Sequence, residues 1–296
     1  MKSNYTVSTN TALSSDIHLD LCQITLNLRL FPSRRKTVEY LKKFSEAQPN
    51  RSIIVHYDFT YIPTRFAMFK DHVRTAITTE VKNILDFSKS CKQVKGIVFH
   101  TDYPVTKEYF KSGNKNEFIK EHYKASCWDT ERIYTLFKSP DSVGILGICE
   151  FIESIKNYLS SDTCPIFLEN TTKCGPSKTM SVDNLIDLAS NYHYVGVCYD
   201  TEHAYAVTGE IIPIENLLNL SKKIPLLVHL NTIPEEVKPC SCKDRHSFTI
   251  IPDNSVKSFD IMNYAKVFDC NNIPYIREVK EETMLKELEW LKTQSL

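Results

Sequence analysis

Eight short apolar runs punctuate the chain: YTVST (5–9), LDLCQITLN (19–27), SIIVH (52–56), KGIVFH (95–100), PIFLE (165–169), VGVCYD (195–200), PLLVHL (225–230) and IPYIRE (273–278). Most are continuous and β-branched rather than alternating, the pattern of strands covered on both faces of a parallel sheet. Stretches of helical period lie between them, at 34–47 (with Val38, Leu41 and Phe44 on one stripe), 64–89, 143–159, 181–192, 257–268 and 281–294. Strand and helix alternate along most of the chain, and eight strands in this length predict an α/β fold, a (β/α)8 TIM barrel. A doubly wound open sheet is the alternative. It lacks its usual phosphate-binding signal, since no GxGxxG or P-loop follows any strand and the chain has only 7 glycines. Residues 101–142 are too many for one crossover and predict a helical insertion between strands 4 and 5. No linker or low-complexity tract divides the chain, so 1–296 reads as one domain.

Composition narrows the class. With 42% hydrophobic and 24% charged residues, the chain reads as a globular protein large enough to bury its core without staples. Lys+Arg and Asp+Glu both total 36, so any surface for nucleic acid must be local rather than global. The 10 cysteines are scattered, several within apolar runs, and the CSC at 240–242 reads as a loop. The opening residues are polar and no run reaches the roughly 18 apolar residues of a membrane span. The expectation is a monomer with reduced cysteines in an intracellular compartment, cytoplasmic or nuclear.

The chemistry lies in how the strands end. The C-terminal ends of the strands carry His56, His100, Glu169, Asp200, His229 and Glu278. Two loops add His203, three residues after Asp200, and Asp244 and His246 of DRH. Taken singly, a histidine at a strand end is more often a structural hydrogen-bonding group, and an aspartate there caps the next helix. Together they claim five of the 9 histidines. In a barrel of this kind the carboxyl ends of the strands share one rim. Convergent desolvated carboxylates and imidazoles are costly unless paired, and divalent cations offset that cost. Mixed His/Asp/Glu donors without clustered Cys point to zinc or manganese, and nine donors exceed the needs of one ion.

At these residues the chain resembles a known family. FLENTTKCG (167–175), VGVCYDTEHAYAVTG (195–209), HLN (229–231), DRH (244–246) and PYIRE (274–278) look like the endonuclease IV family of zinc-dependent abasic-site endonucleases, and SIIVHYDF and GIVFH look like its two earlier histidine strands. The resemblance runs from residue 19 to about 294. It implies three zinc ions, with one site open to manganese. His56 and His100 would hold the first, and Glu169 would bridge it to a second held by Asp200, His229 and Glu278. His203, Asp244 and His246 would hold the third, and Glu202 would be a surface group or lie behind the ligands. The implied reaction, with Glu169 as the catalytic carboxylate, is hydrolysis of the phosphodiester 5′ to an abasic site in duplex DNA, leaving 3′-hydroxyl and 5′-deoxyribose phosphate. Base-excision repair is the implied setting.

For DNA, LNLR (26–29) resembles the family's recognition loop and makes Arg29 a candidate wedge. Phe59 and Thr60 stand where a second wedge would be, although Phe59 is equally read as loop packing. Arg34 and Arg35 in RLFPSRRK are candidate phosphate contacts or a solvated helix start. The chain departs from the family in its divergent first 18 residues, in TDYP after His100, in TTKCG after the E-N-T strand and in the insertion. A metal-dependent sugar isomerase or epimerase barrel is the competing class. It would use His56, Glu169, Asp200, His229 or Glu278 but has no need of His203, Asp244 and His246. A catalytically dead homologue predicts ligand losses, and none is present.

Overall fold

In the computed structural model, the described residues are 1–26, 37–57, 63–101, 129, 140–171, 181–233, 250 and 260–294. They form an eight-stranded sheet in the order β1 to β8, with every neighbouring pair parallel. The strands are β1 Asn4–Val7, β2 Leu21–Leu26, β3 Ser52–Tyr57, β4 Val94–His100, β5 Ile166–Glu169, β6 Val195–Asp200, β7 Leu226–His229 and β8 Tyr275–Ile276. The ring closes through a parallel bridge between Tyr5 and Arg277. Thr6 N donates to Arg277 O at 2.9 Å, and Arg277 N to Asn4 O at 2.9 Å. The fold is the predicted (β/α)8 barrel.

Side chains alternate along each strand, and the two faces have separate uses. Ile24, Val55, Ile97, Phe99, Leu168, Val197, Tyr199, Val228 and Tyr275 point outward and pack into one large core with the surrounding helices. The inward positions form a smaller cluster of Leu21, Ile54, Val98, Phe167, Cys198, Leu227 and Ile276, all buried. Burial on both faces explains why the strands read as unbroken apolar runs. Gly96 makes room in this inner layer, since a Cβ there would lie 2.4 Å from Cε2 of Phe167.

The inner layer is the floor of the rim. Two residues beyond each of its members, in the same order, stand Gln23, His56, His100, Glu169, Asp200, His229 and Glu278. A period of two therefore turns an apolar floor into a polar ring one tier higher.

Helices wrap the barrel at Thr37–Ala47, Asp71–Ser90, Pro140–Ile155, Val182–Ala189, Ile261–Asn271 and Glu281–Gln294. The predicted helix at 64–89 is instead two, Pro63–Phe66 and Asp71–Ser90, separated by a turn in which Met68 N donates to Arg65 O and Phe69 N to Phe66 O and whose apolar side chains are buried. Helices at Thr9–Leu13, Thr201–Thr208 and Ile214–Ser221 are also present among the described residues. The insertion lies almost wholly outside the described residues, as do Arg29, Arg34, Arg35, Phe59, Thr60, Asp244 and His246. No helix among the described residues is long and apolar enough to cross a membrane.

Candidate metal centre

Seven of the nine proposed ligands meet at the carboxyl ends of β3 to β8: His56, His100, Glu169, Asp200, His203, His229 and Glu278. Glu169 is their hub and is fully buried. Its Oε2 lies 2.9 Å from His56 Nε2 and 3.1 Å from His100 Nε2. Its Oε1 lies 2.9 Å from His229 Nδ1 and 3.5 Å from His203 Nδ1. Burial alone would raise its pKa, but His100 and His229 outweigh that and hold the carboxyl well below its ordinary range.

Asp200 ends β6 and divides its two oxygens. Oδ1 accepts from His203 N at 2.7 Å and so caps the helix Thr201–Thr208. Oδ2 accepts from Asn231 Nδ2 at 2.8 Å and lies 3.8 Å from His229 Nδ1. The capping role and the rim role belong to one carboxylate. Asn170 braces it from the other side: its Oδ1 accepts from Asp200 N at 2.7 Å and its Nδ2 donates to Asp200 O at 3.1 Å.

Hydrogen bonding assigns the imidazole edges. His203 Nδ1 donates to the Asn170 carbonyl at 2.8 Å, which leaves Nε2 as the lone-pair nitrogen of the neutral ring. His56 Nε2 donates to Glu169. Its Nδ1 is then buried with no hydrogen-bond partner among the described residues, a cost of about 1–3 kcal/mol. Burial lowers the His56 pKa against the pull of Glu169, so the ring is held neutral, the form that binds metal.

Around His229 the donors crowd most. Its Nδ1 faces Glu169 Oε1 at 2.9 Å, Glu278 Oε2 at 3.2 Å and Asp200 Oδ2 at 3.8 Å. Burial works against charge on this ring, but Cys198, Glu278 and Glu169 raise its pKa well above the ordinary histidine value. Three carboxylates on three strands thus converge on one nitrogen, which a proton can join to only one of them well. A cation among these four groups would satisfy all of them, and the donor set suits a divalent ion.

Donor atoms of His56, His100 and Glu169 lie within 4.8 Å of one another, as do those of Glu169, Asp200, His229 and Glu278. The two groups share Glu169. Cys198 also lies within reach of Glu169 and His229, but burial pushes its thiol up to about 12, and it packs as a neutral member of the floor. His100 and Glu278 keep 21% and 13% of their side chains exposed, so the ring is open to solvent on their side. Glu202 is fully buried, which rules out the surface reading for it.

Three residues of this centre escaped the sequence reading: Gln23, Asn170 and Asn231. All are buried. The available signal was a polar residue beside or within an apolar strand. A cavity of about 760 Å³ opens at the opposite mouth of the barrel, lined in part by Lys2, Asp20, Lys95 and Asp269, away from these groups.

No protein-family model matches the sequence, and no curated protein does. Solved structures do. The chain is similar to a D-tagatose 3-epimerase-like protein, at 14% identity and a TM-score of 0.56, over 98% of this chain and 96% of that one. It is similar to endonuclease IV from Thermus thermophilus, at 16% identity and a TM-score of 0.56, over 98% and 97%. It is also similar to the 3-keto-D-glucoside 4-epimerase YcjR from E. coli, at 11% identity and a TM-score of 0.55, over 99% of both chains. At these identities the likeness establishes the fold.

Proposed function

We propose that this chain is a zinc-dependent endonuclease that hydrolyses the phosphodiester 5′ to an abasic site in duplex DNA. The observation that carries the reading is the pair of donor groups sharing Glu169. A one-ion site would be complete with Glu169, Asp200, His229 and Glu278. His56 and His100, joined to the other oxygen of the same carboxylate, then have no purpose. A second ion gives them one, and shared-carboxylate sites of two ions suit displacement at phosphorus. Bound there, zinc would supply water ionised near neutral pH and positive charge against the scissile phosphate.

The protein's own contribution is placement. Glu169 holds the two groups together. Asn170 and Asn231 fix Asp200, and the Asn170 carbonyl turns Nε2 of His203 to its task. His203, Asp244 and His246 are proposed to hold the third zinc. Arg29, Arg34 and Arg35 follow β2 in the chain, and Phe59 and Thr60 follow β3. They are the proposed contacts to DNA.

A metal-dependent sugar epimerase is the second reading. It is favoured by the self-sufficient four-donor group and by the epimerases among the similar structures. The deciding experiment offers zinc- or manganese-loaded protein a duplex with one abasic site and, separately, ketohexoses. Nicking that leaves a polymerase-extendable 3′ end, without epimer formation, is the expected result. Epimer formation without nicking would replace this reading with the second.

Asp200 and His203 should separate by substitution. Asp200→Ala removes the helix cap, strands the buried Asn231 amide and opens the His229 group. It should cost about 1–3 kcal/mol of stability and lose zinc from the shared pair. His203→Ala keeps the cap and should lose one zinc selectively. Thermal melting and zinc content of the two variants check this, and equal losses in both would contradict it.

A further inference from the structure

Gln23 stands on β2 in the tier where six other strands present their His, Asp or Glu. An amide is a poor substitute for those ligands at a zinc site, and burying one uncompensated is costly. Gln23 is fully buried and its polar atoms are all engaged. Its Nε2 lies 2.7 Å from Glu278 Oε1 and 3.1 Å from Thr6 Oγ1, and its Oε1 lies 3.0 Å from His229 Nε2.

These contacts fix the direction of the amide and of the Nε2 proton. An ionised carboxylate only accepts, so the amide nitrogen of Gln23 must face Glu278. The amide oxygen then faces His229, and His229 Nε2 must donate to it. His229 Nδ1 faces the ionised Glu169 at 2.9 Å and so donates as well while no ion is bound; it is the nitrogen that a cation among Glu169, Glu278 and Asp200 would take. The same amide ties one oxygen of Glu278 and leaves Oε2 turned toward His229 Nδ1 at 3.2 Å. Glu278 needs such a brace. It lies two residues beyond β8, which is only Tyr275–Ile276, so no strand pairing holds it.

We infer that Gln23 is the positioning residue for the His229–Glu278 half of the centre. It selects Nδ1 of His229 as the ligand atom and orients Glu278 before an ion binds. The inference rests on the metal reading above. Losing a brace of this kind lowers metal affinity by about 10–100-fold.

Two variants divide its two tasks. Gln23→Glu still accepts from His229 Nε2 but sets a carboxylate against Glu278. Gln23→Leu removes both contacts. Long-range proton–nitrogen spectra of the zinc-loaded protein report which nitrogen of His229 keeps its proton and which meets the metal. Competition with a chromophoric chelator reports zinc affinity. We expect the wild type and Gln23→Glu to keep the proton on Nε2 with zinc at Nδ1, and Gln23→Leu to lose that selection. Both variants should bind zinc about 10–100-fold more weakly. An unchanged proton position in Gln23→Leu, or wild-type zinc affinity in both variants, overturns the inference. If Gln23→Leu fails to fold, wild-type affinity in Gln23→Glu alone overturns it. A wild type that binds no zinc refutes the metal reading instead.

Discussion

Under the proposed function, Glu169→Gln should lower nicking of an abasic duplex by about a thousandfold or more, the scale of losing several kcal/mol of metal-ion stabilisation. The substitution preserves shape and changes charge at the one group both donor sets share. Glutamate offers an oxygen to His56 and His100 and another to His229 and His203. Glutamine keeps only one acceptor and turns an amide donor toward the other pair. His100 and His229 keep Glu169 ionised despite its burial, so the variant differs from the wild type by a full charge at any working pH. Zinc content and single-turnover nicking, measured on the same preparation, check the result. A zinc-loaded variant that nicks at near-normal rate would contradict the hub role.

The same carboxylate also supports the metal-free fold, with a definite pH sign. Its folded pKa lies below the ordinary value of 4.5, so its contribution is full above that value and is lost as pH falls through the lowered one. The melting advantage of the wild type over Glu169→Gln should therefore shrink in acid. An advantage that grew below the ordinary carboxylate range would reverse the assigned shift.

Glu287→Ala should cost about 3–5 kcal/mol of stability, the penalty for stranding a buried charge. Arg277 and Glu287 are both fully buried. Arg277 Nη2 donates to Glu287 Oε1 at 2.8 Å and its Nη1 to the Leu230 carbonyl at 2.8 Å. Glu287, from the helix Glu281–Gln294, also accepts from Ile250 N at 2.8 Å. The pair sits where the barrel closes, since Arg277 makes the bridge to Tyr5 and precedes Glu278. Replacing both partners, Arg277→Met with Glu287→Leu, should recover most of the loss, because no unpaired charge then remains. Urea unfolding measures both. A loss under about 1 kcal/mol in Glu287→Ala would mean that the pair is not sealed from water.

The barrel was readable from the sequence because parallel strands buried on both faces leave continuous apolar runs. All eight runs became strands, within a few residues at their ends. The ring was readable because β4 to β7 end on His100, Glu169, Asp200 and His229, and His56 lies one residue before the end of β3. What failed was structure without a local mark. The break between Pro63–Phe66 and Asp71–Ser90 falls in apolar residues with no Gly or Pro to signal it. Thr9–Leu13 and Ile214–Ser221 are too short for a helical period to show. Gln23 was visible as a polar residue in an apolar strand. Its partner Glu278 lies 255 residues away, and that pairing exists only once the barrel closes. Glu202 was misread as a possible surface group because its burial comes from packing of the rim helix, not from a pattern along the chain.

The central claim is that Glu169 joins two metal sites on one rim. Metal analysis of the purified protein, with anomalous diffraction at the zinc edge, tests it most directly. The account predicts at least two zinc ions per chain, with Glu169 a ligand to both ions of a pair and His56 and His100 on one side of it. A single ion held by Glu169, Asp200, His229 and Glu278, with His56 and His100 still hydrogen-bonded to Glu169, would contradict it.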